Sequence, residues 1–310
     1  MTTTTPVAKS TRTVRRTHKS LSSPWATTGA IIIAALWTLP PFGLFLSSFR
    51  PAADITTSGW WTFFTGPQAT LDNYAQTLEA KSGVTVMQGL LNSLTITIPA
   101  AIIPIVLALL VAYALAWIDF RGRHILFVAI FALQIVPLQM LLVPLLRLYT
   151  GGVSVGGTQI FPGLAAGSLT NGFAQVWLTH TMSALPLAVF MLHNALAAIP
   201  AEVMDAAQID GAGHGQILIR LALPLAVPTI ASYAIFQFLW VWNDLLVATI
   251  FTSGRNAPVT KLLADLSGTY GQKWYLLTAA TFLAIVIPLV VFFALQRFFV
   301  RGLLAGATKG

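Results

Sequence analysis

Charge is what this sequence has least of. Only 8% of its 310 residues are Asp, Glu, Lys or Arg, against 56% hydrophobic, and mean hydropathy is +0.78. A water-soluble domain carries roughly 25% charged residues. A chain this poor in charge cannot coat a particle in water, so its solvent is lipid. Cysteine is absent, which excludes disulfides and thiolate metal sites. The five histidines, His18, His124, His180, His193 and His214, show no metal-ligand spacing, so no metal is expected. His180 and His193, in one apolar run, read as polar packing groups. No phosphate loop (Gly, four residues, Gly-Lys, then Ser or Thr) occurs, so the chain lacks a Walker-type nucleotide site. No serine, cysteine or carboxylate constellation suggests hydrolysis. Neither catalysis nor a cofactor bound by this chain is expected.

What is present is long charge-free runs: Leu21 to Phe49, Ser82 to Ile118, His124 to Leu146, Leu148 to Ala201, Leu221 to Asn243 and Trp274 to Gln296. A spanning helix needs about 20 mostly apolar residues, because the hydrocarbon core is roughly 30 Å thick and each residue rises about 1.5 Å. The fourth run exceeds one span. Its front, with Gly151, Gly152, Gly156, Gly157, Pro162 and Gly163, reads as loop, leaving one helix near 171–196. The fold class is therefore all-α integral membrane with six transmembrane helices. A β-barrel would need short alternating segments, and these runs do not alternate.

The net charge of +8 is explained by topology without nucleic acid. With the N-terminus inside, the cytoplasmic segments hold Lys9, Arg12, Arg15, Arg16, Lys19, Arg121, Arg123, Arg220, Arg297, Arg301 and Lys309. The outer side holds Arg50, Lys81, Arg147, Arg255, Lys261 and Lys273. The bias follows the positive-inside rule and places both termini in the cytoplasm. The organisation expected is a disordered basic tail over 1–24, a first helix over 25–49 kinked by Pro40–Pro41, and an extracytoplasmic segment over 50–86. A five-helix core follows over 87–297, then a cytoplasmic tail over 298–310. The first span is longer than a signal-peptide core and reads as retained. Trp60, Trp61, Phe63 and Phe64 suit an interfacial anchor. Ala108, Ala112 and Ala116, at four-residue spacing, permit close helix contact in lipid. Pro137 and Pro144 interrupt the third span.

The segment from Ala198 to Pro224 lies in the cytoplasm on this topology and carries three of the nine acids. Pro200 suits a first helical turn, with Glu202 and Asp205 near the positive end of the dipole. Gly211 and Gly213 suit its end. A second short helix over 216–222 then leads to Pro224 and the fifth span. The pattern is a helix–turn–helix against the membrane that presents a surface to the cytoplasm.

In this loop the chain resembles the permease subunits of binding-protein-dependent ABC importers. Their signature is Glu-Ala-Ala, three residues, Gly, nine residues, Ile, one residue, Leu-Pro. Here it reads Asp205-Ala206-Ala207, Gly211, Leu221 and Leu223-Pro224, with both intervals intact and two departures, Asp205 for Glu and Leu221 for Ile. Asn92-Ser93, Ala112-Tyr113-Ala114, Trp242-Asn243-Asp244 and the ending from Gly302 to Gly310 look like the carbohydrate branch, most like the subunit paired with a longer maltose-type partner. The stretch from Val136 to Tyr149 is similar to permeases for α-glucosides and glucosylglycerol.

The resemblance implies a type I ABC importer (MetI-like) permease fold in a bacterial inner membrane. It implies a second homologous permease subunit, two copies of a cytoplasmic ATPase that use ATP and Mg, and an extracytoplasmic sugar-binding protein. Loop 198–224 would be the coupling element, with Glu202, Asp205, Ala206, Ala207, Asp210, Gly211, Leu221 and Pro224 as its residues. The outer loop 252–273 resembles the family loop that reaches into the binding protein. Asp244 is the one acid in the fifth span. Counted from Ala226 it lies about 27 Å along the helix, near the outer interface. Trp242, Asn243 and Asp244 are therefore expected to form a gate or structural hydrogen bond in preference to a direct sugar contact. The competing class is an ion-coupled secondary transporter, which should show inverted repeats or intramembrane acids.

Overall fold

The structure is a computed structural model that describes residues 24–79, 85–164, 172–267 and 273–307, with side chains described as far as residue 296. The basic tail before Pro24, residues 268–272 of the outer loop and residues 308–310 lie outside the described residues.

Five helices are long and apolar enough to span a bilayer: α1 (Pro24–Ser48), α4 (Val86–Trp117), α7 (Phe173–Ala197), α9 (His214–Trp242) and α12 (Trp274–Ala307), whose apolar part is Trp274–Gln296. A sixth crossing is made by a bent pair, α5 (Arg123–Ala132, extended by a 3₁₀ turn, Leu133–Ile135) and α6 (Leu138–Gly151), meeting at 99°. Neither half alone covers a hydrocarbon core roughly 30 Å thick. The break has a local cause. Val136 precedes Pro137, and proline pushes its predecessor out of the helical region; Val136 sits at φ −74°, ψ 115°. Of the two prolines expected to interrupt this span, only Pro137 does so. Pro144 stays inside α6. Pro40 and Pro41 likewise stay inside a continuous α1.

Three further differences concern connections. The glycine-rich stretch read as loop holds a β-hairpin, β1 (Val153–Val155) paired antiparallel to β2 (Thr158–Phe161). Its two-residue turn, Gly156–Gly157, has φ of +60° and +83°, the geometry for which glycine is the least strained residue. The short helix expected before Pro224 is not separate but is the first part of α9. And α12 runs on to Ala307, so the expected C-terminal tail is largely a continuation of the last helix.

The segment between α1 and α4 folds into α2 (Ala52–Thr57), a 3₁₀ turn over Trp60–Phe64 and α3 (Asp72–Leu78). Trp60 packs edge-to-face on Phe42 of α1, with ring centroids 6.1 Å apart, whereas Trp61 and Phe64 stay exposed, as an interfacial anchor requires.

The core is built on α4 against α7. Ala108 and Ala112 of α4 and Ala188 of α7 are completely buried, beside Val189 and Leu192. Lipid gives little hydrophobic drive between helices, so close backbone approach at small residues supplies the packing. Ala116, one turn on, is half-buried at the edge of the same cluster. A second cluster joins α4, α9 and α12 through Leu90, Phe238, Ala280 and Ala284.

Candidate functional site

The segment expected to couple is a helical hairpin whose spacing follows from how its first helix stops. Helix α8 (Ala201–Ile209) begins after Pro200 and carries Glu202 in its first turn. Gly211 then adopts φ +81°. Its N–H donates to the Gln208 carbonyl (3.0 Å), and the Ala212 N–H donates to the Ala207 carbonyl (3.0 Å). These are the paired bonds of a Schellman stop, with the left-handed residue at Gly211 and the apolar residues Ala207 and Ala212 at the two positions that touch. Both alanines pack on the main core cluster. The interval from Ala207 to Gly211 is thus the length of one helix terminus. Met204, 1% exposed, anchors α8 in that cluster.

Anchoring the inner face leaves the outer one free. Glu202, Asp205, Ala206, Asp210 and Gly211 are exposed, and so are Val203 and Ile209, the latter 86% exposed. The surface is an acidic rim around two unpartnered apolar side chains. One bond ties the hairpin to α4, the Tyr113 hydroxyl lying 3.1 Å from His214 Nδ1, and beside it the Trp117 indole N–H donates to the Leu196 carbonyl at the end of α7 (3.1 Å).

Leu221 and Pro224 lie further along, in α9. Leu221 is half-buried in the core, and Pro224 is exposed along α9. Between the α-turn His214–Ile217 and the long part Leu223–Trp242, residues Leu218–Ala222 form a π-turn, with the Leu223 N–H bonded to the Leu218 carbonyl. Pro224 has no N–H to give the Arg220 carbonyl. The wider turn lets the helix absorb that loss without stopping. Of the eight residues expected in the coupling element, Leu221 and Pro224 lie on α9 and not on the exposed face of α8.

At the other end of α9, Trp242 is buried and stacks on Phe238 at 5.7 Å. Asn243 closes the helix by donating to the Leu239 carbonyl at 2.8 Å. Asp244 therefore does not sit within an apolar helix. It stands just past the end of α9 and caps α10 (Leu246–Phe251), accepting the N–H groups of Val247 (2.9 Å) and Ala248 (3.4 Å). Its carbonyl accepts from the Thr260 hydroxyl at 3.1 Å.

His180 of α7, 1% exposed, places Nε2 at 3.8 Å from the Asp244 carboxylate. The two border a cavity of about 10 Å³ with Ser93, Thr97 and Trp242. The Thr97 hydroxyl and His180 Nδ1 are buried and have no hydrogen-bond partner among the described residues. A space of this size and polarity suits one water. Sequence reading missed this pairing because Asp244 and His180 come from different helices with no shared spacing.

Asn92 and Ser93, at the same end of α4, hold the outer loop. The Asn92 amide donates to the carbonyls of Arg255 (2.7 Å) and Ala257 (2.9 Å), and the Ser93 hydroxyl accepts the Val259 N–H (2.9 Å). Val259 opens α11 (Val259–Ser267) and is fully buried. Among the described residues no group of three or more His, Asp or Glu is placed to hold a metal ion.

Residues 104–304 match the family described as binding-protein-dependent transport system inner membrane component. The chain belongs to that family. The matched residues include the whole hairpin and Asp244. A relative, the osmoprotective compounds uptake permease protein GgtD of Synechocystis, is 47% identical over 285 residues, covering 90% of each chain. The α-glucoside transport system permease protein AglG of Rhizobium meliloti is 47% identical over 253 residues, covering 81% of this chain and 63% of its own. Among solved structures, a bacterial ABC transporter that imports the acidic polysaccharide alginate covers 92% of this chain and 99% of its own, at TM-score 0.66 and 15% identity. At that identity the likeness speaks for the fold, which is the type I ABC importer (MetI-like) permease fold. As an inner membrane component of this family, the chain is a transport permease subunit. Its two polar ends, the hairpin and the Asp244 corner, stand at opposite ends of α9.

Proposed function

We propose that this chain is the membrane-spanning subunit of an ATP-driven, binding-protein-dependent importer of oligosaccharide or α-glucoside-like sugars, and that it is not itself an enzyme. The observation that carries the proposal is the hairpin face. Its inner side is fixed by Met204, Ala207 and Ala212, while Glu202, Asp205, Asp210 and Ile209 stand exposed. An acidic rim around an apolar tip suits a cleft with basic edges on an ATPase. Charge-assisted bonds to Asp205 and Asp210 would strengthen as the contact desolvates. The chain has no phosphate loop of its own, so two partner ATPase subunits supply the ATP and Mg chemistry. A second homologous permease completes the pathway, and an extracytoplasmic sugar-binding protein delivers the solute. Both termini and the hairpin face the cytoplasm, and Trp242, Asn243 and Asp244 form the gate at the opposite surface. The sugar class rests on the relatives named for osmoprotective compounds and α-glucosides.

The test is sugar uptake into vesicles holding the permease pair and ATPase, with purified binding protein outside. Uptake should require both ATP inside and the binding protein. Uptake driven by an ion gradient without nucleotide would instead indicate a secondary transporter. Gly211→Pro and Ala207→Trp should abolish uptake and ATPase association while membrane insertion persists.

A further inference from the structure

Arg50 presents a charge that the transport reading does not use. It lies two residues beyond the end of α1 and is 3% exposed. Its guanidinium donates to the Ser58 carbonyl (3.1 Å), the Asp54 carbonyl (3.0 Å), and the hydroxyls of Ser58 (2.6 Å) and Thr62 (3.1 Å). All four acceptors are neutral. Among the described residues the ion-pair contacts are Arg123–Asp119 and His180–Asp244, so no carboxylate touches the Arg50 guanidinium. Burying a cation among neutral acceptors alone is costly. Nε and one Nη1 hydrogen have no partner among the described residues.

Arg50 lines an open pocket of about 270 Å³ with Asp54, Ser58, Thr62 and Gln68. Asp54 gives Arg50 only its backbone oxygen; its carboxylate takes no hydrogen bond from the described residues. A cation that only neutral groups contact and a carboxylate without a hydrogen bond therefore line one pocket, and their charges sum to zero. The pocket stands at the end of a membrane helix. Thr62 and Phe63 of its wall belong to the turn that Trp60 seats against α1, and Trp61 and Phe64 of that turn are exposed. Aromatic rings of this kind mark headgroup depth.

We propose that this pocket binds the headgroup of a zwitterionic phospholipid bearing a primary ammonium, of the phosphatidylethanolamine type. Arg50 donates to the phosphodiester from its remaining Nε and Nη1 hydrogens in charge-assisted bonds, and the Asp54 carboxylate accepts the ammonium. The site would fasten the first helix and its following segment to the bilayer surface.

The test is native mass spectrometry of the full-length chain offered equimolar phosphatidylethanolamine, phosphatidylcholine and phosphatidylglycerol. The ethanolamine lipid should be retained about tenfold over the choline lipid, whose quaternary nitrogen has no N–H to donate, and over the anionic glycerol lipid. Asp54→Asn keeps the backbone oxygen that Arg50 needs and should erase that preference. Arg50→Lys keeps the charge and should weaken all three lipids. Equal retention by the unaltered chain, or a preference that survives Asp54→Asn, overturns the proposal. Displacement of the lipid by equimolar glycerophosphoethanolamine would assign the pocket to a soluble phosphodiester and refute the lipid.

Discussion

Gly211 offers a graded perturbation of the hairpin with its cause on view. At φ +81° any residue with a Cβ is strained, yet a Cβ built there meets no other atom within 4 Å. The cost of Gly211→Ala is therefore the backbone term alone, about 1–2 kcal/mol, which corresponds to a roughly 5- to 30-fold smaller population of the correctly stopped hairpin. Gly211→Asn should cost less, because asparagine tolerates the left-handed region. Gly211→Pro should cost most. It fixes φ near −65° and removes the N–H that bonds to Gln208. The assay is binding of the ATPase subunit to the reconstituted permease, with binding-protein-stimulated ATP hydrolysis in the same vesicles. Both should fall in the order Gly, Asn, Ala, Pro, with equal amounts of permease in the membrane. An alanine variant as weak as the proline variant would mean that side-chain contact at the position matters, not backbone conformation. A proline variant with normal stimulation would refute the Schellman stop as the basis of coupling.

Asp244→Ala removes the acceptor for the Val247 and Ala248 N–H groups and should lower stability by about 0.5–2 kcal/mol, seen as a lower melting temperature in detergent. Asp244→Asn should keep most of that cap, and unchanged sugar affinity in this variant would argue against direct substrate contact. Asn92→Leu leaves two loop carbonyls without their donor, a loss of about 1–3 kcal/mol, and limited proteolysis should then cut near Arg255 faster; unaltered cleavage would contradict the pinning role. Ala112→Leu forces volume into the completely buried seam between α4 and α7 and should destabilise by about 1–3 kcal/mol, whereas Ala116→Leu at the half-buried edge should cost less, and thermal melting of the two would separate them.

The parts of this fold that sequence reading reached are those with local causes. Charge-free runs measure the bilayer, so the crossings could be counted, and the Ala207–Gly211 interval is one helix terminus, so the hairpin could be placed. The alanine seam follows from four-residue periodicity. What escaped depends on distance along the chain. Asn92 meets residues 255 and 257, and His180 meets Asp244, through packing that leaves no local mark. Proline also acts by context. Pro137 breaks its span, while Pro144 stays helical, and Pro224 is absorbed by a π-turn that its own sequence does not announce. Asn243 and Asp244 read as helical because apolar neighbours continue on both sides. The Asn243 cap ends that helix, and Asp244 starts another.

Helix α9 is 29 residues long, roughly 43 Å at 1.5 Å per residue, and its π-turn sits near one end. A stiff rod with its soft point off-centre multiplies displacement. The 20 residues from Leu223 to Trp242 make an arm of roughly 30 Å, so a tilt of about 10° at the π-turn carries Trp242 sideways by about 5 Å. Movement of that size at the far surface exceeds the reach of the bond between the Thr260 hydroxyl and the Asp244 carbonyl, so a small rocking of the hairpin would be enough to undo it.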